Sequence, residues 1–313
     1  MKRLVGLTLA ALLLAGCGGY DDTATPAPPT AGAAAPAAPS ECANDGTQLR
    51  SYEPSGDVGE GPAVSDIRTR GRLIAGVAAD TLLLGARNPN TNQIEGFDID
   101  MVYAIAAEIF DDFDPDAPGR RVELKVITAA DRIPLLQDGT IDIVARNMTI
   151  NCARWEQIAF SQEYYSAGQK VLVGKGSGIT IDDLAGKRLC APSGTTSLEN
   201  IEKVLGAEPV SSTDNSACMV LFQNGEADGV STDDTVLAGL AAQDPYAQVL
   251  KSDFLTEEPY GIGVNADDRD LVELINTVLE DMRRDGRWQA SYDRWLRPDL
   301  GVAGVQPAPL YGR

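Results

Sequence analysis

The chain has 313 residues, room for about two domains at ~150 residues each, and its 43% hydrophobic and 23% charged content excludes disorder throughout. Its 26 Lys and Arg against 46 Asp and Glu give a formal charge of −20, which argues against nucleic acid as the main partner, because phosphate binding needs a basic face. The absence of histidine removes every Ser-His-Asp or Cys-His nucleophile, every His-ligated metal and every His phosphorelay from this chain.

Met1-Lys2-Arg3 precedes an apolar run from Leu4 to Ala15. That run is too short to cross a hydrocarbon core of ~30 Å, which takes ~20 helical residues, so 1–16 reads as a secretion signal. It ends Leu14-Ala15-Gly16-Cys17, which resembles a bacterial lipobox. Such a cysteine is lipidated (palmitate among its acyl chains) and becomes the first residue of the mature chain. Cys17 would then anchor the protein to the outer face of the cell membrane. Residues 17–61 are poor in aliphatics, and Thr25 to Ser40 is nearly all Ala, Pro, Thr and Gly. Such a segment buries too little apolar surface to offset its ordering entropy and reads as a tether.

The folded body begins with a strand over Arg72–Val77. A helix over Gly96–Phe110, a strand over Val122–Ile127, a short helix over Asp131–Gln137 and a strand over Ile141–Ala145 follow. This β-α-β-α-β order marks an α/β sheet with short connections. The pattern restarts with strands at Lys170–Val173 and Lys187–Ala191, either side of a helical turn at Asp182–Leu184. The turn Ser193–Ser197 leads into a helix over Leu198–Leu205. A helix over Ala217–Asn224, a strand at Gly229–Ser231 and a helix over Asp233–Gln243 complete this second unit, with Asp233 or Asp234 as N-cap. Pro259–Val264 returns to strand. Asp267–Arg284 carries Leu271, Leu274, Ile275, Val278, Leu279 and Met282 as one apolar stripe, Trp288–Leu296 forms a last helix, and a Gly/Pro tail follows. The first unit is thus interrupted by the second: 62–166 with 257–298 against 167–256, and 299–313 as tail.

With Cys17 lipidated, Cys42, Cys152, Cys190 and Cys218 remain. An even count in an exported chain suggests two disulfides, for which three pairings exist. Cys190 and Cys218 share the second unit and are paired here, which leaves Cys42 with Cys152. No C-x2-C unit occurs, which argues against zinc. The acidic run Asp111–Asp116 lacks the spacing of a calcium loop. No cofactor is expected.

The blocks GFDIDM, DRIPLLQDGTIDIV, NMTINCARWEQIAFSQEYY, LAGKRLCAPSGTTSLENI, GEADGVSTDDTVLAGL and PYGIGV occur in this order. Over about 65–296 the chain closely resembles extracellular solute-binding proteins of family 3, the amino-acid receptors of ABC importers. The resemblance implies a two-lobed periplasmic-binding-protein type II fold. In it two α/β lobes are joined by two crossover strands, near Glu163–Ala167 and Thr256–Pro259, with the ligand in the cleft. It places the carboxylate-binding arginine at Arg154 and its threonine at Thr149. The ammonium-binding aspartate falls at Asp233, with Asn147 offering a carbonyl to the same group, and Thr195 and Thr196 open a helix beside the carboxylate.

Elementary chemistry fits these positions. A zwitterion taken out of water needs both charges matched. An arginine fork suits a carboxylate, and free N–H groups at a helix N-terminus attract anions. The stretches Asp80–Leu84 and Thr128–Asp131, where relatives often place aromatic rings, hold none, while Arg87, Arg132 and Arg146 lie in cleft-side segments. Surplus arginine suits a side-chain carboxylate or amide, so glutamate, aspartate, asparagine or glutamine is expected. Arg132 pairing with Asp131 or another carboxylate is the bland alternative. The expected partners are an amino acid and an ABC permease, with the protein a monomer. A membrane sensor protein is the rival partner. A dehydratase on the same fold is a weaker rival, because without histidine its acid and base would have to be carboxylates or lysines.

Overall fold

In the computed structural model, residues 44–54 and 61–313 are described. The expected signal peptide, the lipidation at Cys17, Cys42 and the Ala/Pro-rich stretch lie outside them.

The chain order is β1 (Arg50–Ser51), α1 (Pro62–Arg70), β2 (Leu73–Val77), β3 (Asp80–Thr81), β4 (Gly85–Arg87), β5 (Ile94–Glu95), α2 (Phe97–Ile109), β6 (Val122–Val126), α3 (Arg132–Gln137) and β7 (Ile143–Val144). Then come α4 (Cys152–Trp155), β8 (Ala159–Phe160), β9 (Tyr165–Gly174), β10 (Arg188–Pro192), α5 (Thr196–Leu205), β11 (Glu208–Ser212), α6 (Asn215–Gln223), β12 (Gly229–Asp233), α7 (Asp234–Gln243) and β13 (Ala247–Val249). The chain closes with β14 (Glu257–Tyr260), β15 (Gly263–Val264), α8 (Arg269–Asp285), α9 (Arg287–Trp295), α10 (Arg297–Leu300) and β16 (Leu310–Tyr311).

Two main sheets form. The first has the order β6-β2-β7-β15-β8, and the second β11-β10-β12-β9-β13. The first draws its strands from both ends of the chain, so the second lobe is an insertion into the first. The link is made by β9 and β14, which pair antiparallel with Tyr165 opposite Tyr260 and Gly168 opposite Glu257. The expected crossovers are thus two strands bonded to each other, and β9 runs on without a break into the second sheet. The stripe expected on α8 is buried in full, and Gly286 in the left-handed region ends that helix. In the second lobe a disulfide joins Cys190 of β10 to Cys218 of α6. Cys152 is also disulfide-bonded, to a partner outside the described residues.

Residues 44–54, read from sequence as part of the tether, instead pack on the first lobe. Trp155 Nε1 donates to the Gln48 carbonyl at 2.8 Å, and Ser51 Oγ donates to the Phe160 carbonyl at 2.8 Å. The expected loose tail is ordered too: β16 pairs in parallel with β1, and Gln306 Nε2 donates to the Leu279 carbonyl at 2.9 Å. Both segments are short and polar and carry no apolar period. Their order comes from backbone pairing and from rings, with Tyr52 edge-on to Trp155 and the Arg313 guanidinium 3.8 Å from the Trp155 ring centre.

Candidate functional site

The lobes meet over a cleft floored by β9 and β14. From the first lobe, the loop between β7 and α4 supplies Arg146, Asn147 and Thr149, and α4 supplies Arg154. Asn151 caps α4, its Oδ1 accepting from Arg154 N at 2.9 Å, which fixes where that arginine leaves the backbone. Arg154 Nη1 donates to the Thr149 carbonyl at 2.6 Å, and Nη2 lies 3.5 Å from the Gly194 carbonyl of the second lobe. Thr149 Oγ1 is 3.3 Å from Thr196 Oγ1 at the start of α5. A buried guanidinium, a hydroxyl and a helix N-terminus therefore share one corner, and each of them suits an anion.

Asp233 ends β12 and is 3% exposed. Its Oδ2 accepts from the Tyr260 hydroxyl at 2.7 Å, and its Oδ1 has no hydrogen-bond partner among the described residues. It occupies the N-cap position of α7, yet its side chain makes no cap bond. Burial pushes the Asp233 carboxyl well up and the neighbouring Glu258 charge adds to this, while the Tyr260 hydrogen bond and the nearby Asn147 side-chain amide oppose them. An unpartnered, desolvated carboxylate oxygen is a ready acceptor for a cation.

Asn147, in the left-handed region at φ 36°, turns the chain beside Asp233. Asp98 holds that turn. Its Oδ2 accepts from Asn147 N at 2.9 Å and its Oδ1 from the Tyr164 hydroxyl at 2.7 Å. Burial pushes the Asp98 carboxyl up to about 6 against those hydrogen bonds.

The remaining expected residues divide. Arg132 is 2% exposed, and its fork goes to carbonyls and not to Asp131. Nε donates to Ala129 O at 2.9 Å, and Nη2 donates across the cleft to Gly194 O at 2.9 Å. Asp131 accepts instead from Thr128. Thr195 is an N-cap: its hydroxyl donates to Pro192 O and accepts from Leu198 N. Arg87 is a correction. The hairpin of β4 and β5 turns it to solvent, where Nη1 donates to Asn92 O at 2.8 Å, so it does not reach the cleft.

Sequence reasoning missed Glu258. It is 1% exposed on β14, with Oε2 accepting from Thr149 Oγ1 at 2.7 Å and from Thr196 Oγ1 at 2.6 Å, and Oε1 accepting from Thr256 Oγ1 at 2.7 Å. One carboxylate on a crossover strand thus ties both lobes together. Its place one residue past exposed Glu257, on the opposite face of β14, is the signal that separates it from its neighbour. Among the described residues no cluster of ligating side chains could hold a metal, and no helix is long and apolar enough to cross a membrane.

These two lobes and this cleft define a two-lobed binding protein. The chain belongs to the bacterial extracellular solute-binding proteins, family 3, whose sequence pattern matches residues 73–298. It is 36% identical over 236 residues to the ABC transporter glutamine-binding protein GlnH of Bacillus subtilis (strain 168), covering 74% of this chain and 84% of that one. It is 32% identical over 246 residues to the glutamate-binding protein GluB of Corynebacterium efficiens, covering 74% and 79%. Among solved structures, an ancestral arginine-binding protein bound to glutamine matches with a TM-score of 0.65 and 34% identity over 72% of this chain and 98% of that one. An ancestral amino-acid-binding protein described as a precursor of cyclohexadienyl dehydratase matches with a TM-score of 0.66 and 32% identity, covering 75% and 100%. The named relatives are binding proteins.

Proposed function

We propose that the protein is a receptor for a polar α-amino acid, which it encloses between its lobes and delivers to an ABC permease. The observation that carries this is the pairing, inside one cleft, of the Arg154–Thr149 corner at the N-terminus of α5 with Asp233, whose Oδ1 is buried and unpartnered. The corner takes the α-carboxylate and Asp233 takes the α-ammonium. An entering carboxylate replaces the neutral carbonyl acceptors of Arg154 with a charged one that can take its fork through two parallel bonds. Contacts made from both lobes at once favour the closed state. The arginines beyond the α-groups suit an acid or amide side chain. The names of the glutamine- and glutamate-binding relatives support the same ligand class. In this reading Cys17 carries the lipid, and the receptor works as a monomer at the outer face of the cell membrane.

The test is calorimetric titration with amino acids and with analogues lacking the α-carboxylate or the α-amino group. Both analogues are expected to lose binding. Arg154→Ala and Asp233→Ala each remove one partner of a buried charge pair, which costs about 2–5 kcal/mol, at least roughly thirtyfold in affinity. Unchanged affinity in both variants would refute the assignment.

A further inference from the structure

We infer that Arg146 and Asn215 form the side-chain subsite of this cleft and select a neutral carboxamide, glutamine or asparagine, over the corresponding acid. This rests on the amino-acid reading above. Arg146 is 2% exposed on the first lobe, and its Nε has no hydrogen-bond partner among the described residues. Asn215 is 2% exposed at the start of α6 on the second lobe, and its Oδ1 is likewise unpartnered. The lobes touch at this end of the cleft, where Asp80 Oδ2 accepts from Ser216 N at 3.4 Å. Asp80 and Asp214, the residues on either side of this contact, are the carboxylates that act most strongly on the Arg146 charge. Two buried side chains, one from each lobe and each with a polar atom that lacks a partner among the described residues, therefore lie near this contact between the lobes.

The chemistry of that end discriminates between ligands. Asp80, Asp214, Asp98 and Asp131 all bear on Arg146. Each has a local donor: Ser216 N for Asp80, Ala217 N for Asp214, Asn147 N for Asp98 and Thr128 for Asp131. Among the described residues none forms an ion pair with Arg146, so its guanidinium keeps donors to give, and the four carboxylates around it outnumber the one neighbouring cation, the buried Arg132. A ligand carboxylate would add a further negative charge to those four. A cationic side chain would set donors against a donor. An apolar one would leave Arg146 and Asn215 desolvated and unpaired, the situation that sites built for hydrogen bonding reject most strongly. A carboxamide meets every demand, its oxygen accepting from Arg146 and its NH2 donating to Asn215 Oδ1.

The test is calorimetric titration of the purified protein with glutamine, asparagine, glutamate, aspartate and arginine, repeated on Arg146→Met and Asn215→Ala. Thermal unfolding of the ligand-free variants checks that each is folded, and because the substitutions lie on different lobes each serves as a control for the other. The expected result is a carboxamide bound at least tenfold more tightly than either acid. Both variants should weaken it at least tenfold and narrow its margin over the acid. Tightest binding of glutamate, aspartate or arginine would overturn the inference and leave the amino-acid reading standing. So would wild-type carboxamide affinity in both folded variants. Binding of no amino acid would overturn the inference together with the reading beneath it.

Discussion

In the proposed receptor, Asp233 sets the pH behaviour of the site. Burial and the Glu258 charge raise its carboxyl in the ligand-free protein. A ligand ammonium needs the ionised form and, once bound, brings the pKa back down. The group therefore binds protons more readily when free than when loaded. Affinity is complete above the raised value and falls as the pH drops through it, and loading the protein inside that window releases a proton. Titrations in buffers of different ionisation enthalpy read this release directly, and a dissociation constant that stays flat from about pH 5 to pH 8 would contradict it. At this scale the sequence was legible where chemistry and spacing coincide. Arg154, Thr149, Asn147 and Asp233 stand in one cleft because each is fixed by its own cap, turn or strand end. Arg87 misled because a shift of one residue in a hairpin decides which side of the strand faces solvent, and composition is blind to that. Glu258 was hidden because a glutamate beside a second glutamate reads as exposed until the strand register and its three threonine partners are in place.

Among the elements, α7 carries the clearest device for closure. A Cβ built on Gly239 would stand 2.6 Å from the Leu82 carbonyl of the opposite lobe, and backbone cannot yield as a side-chain tip can. Alanine is the better helix former by ~1 kcal/mol, so Gly239→Ala should leave the separate lobes as stable as before. It should nevertheless prop the cleft open. The expected outcome is an unchanged far-UV spectrum with ligand affinity lowered at least tenfold, and a ligand-free scattering profile more extended than the wild type. An unchanged affinity would show that the lobes close without this contact. The long, periodic elements could be read from the sequence: α2, α8 and α9 lie within one or two residues of expectation. The strands β3, β4, β5, β8 and β13 could not, since two or three residues carry no period. The helix α1 escaped because only Val64 and Ile67 of its nine residues are buried, although Pro62 and Gly71 mark its ends.

For the molecule as a whole, the two-lobed division was legible because the α/β pattern stops, restarts and then resumes. The strap was not. β1 pairs with β16 across 260 positions of sequence (Arg50 with Leu310), and nothing local announces such a partner. Backbone bonds and the rings of Tyr52 and Trp155 make this pairing, and both chain ends of the described body are thereby held on the first lobe. The lobes are left to close on each other through β9 and β14, with the ligand between them. The most direct measurement is thermal unfolding of the protein against each of the twenty amino acids. A ligand at ~100 times its dissociation constant adds ~2.7 kcal/mol, a rise of roughly 5–10 °C for a body of this size. The expected result is such a rise with a polar amino acid, lost in both Arg154→Ala and Asp233→Ala. No rise with any amino acid, or a rise that survives both substitutions, would contradict the assignment of this cleft as an amino-acid site.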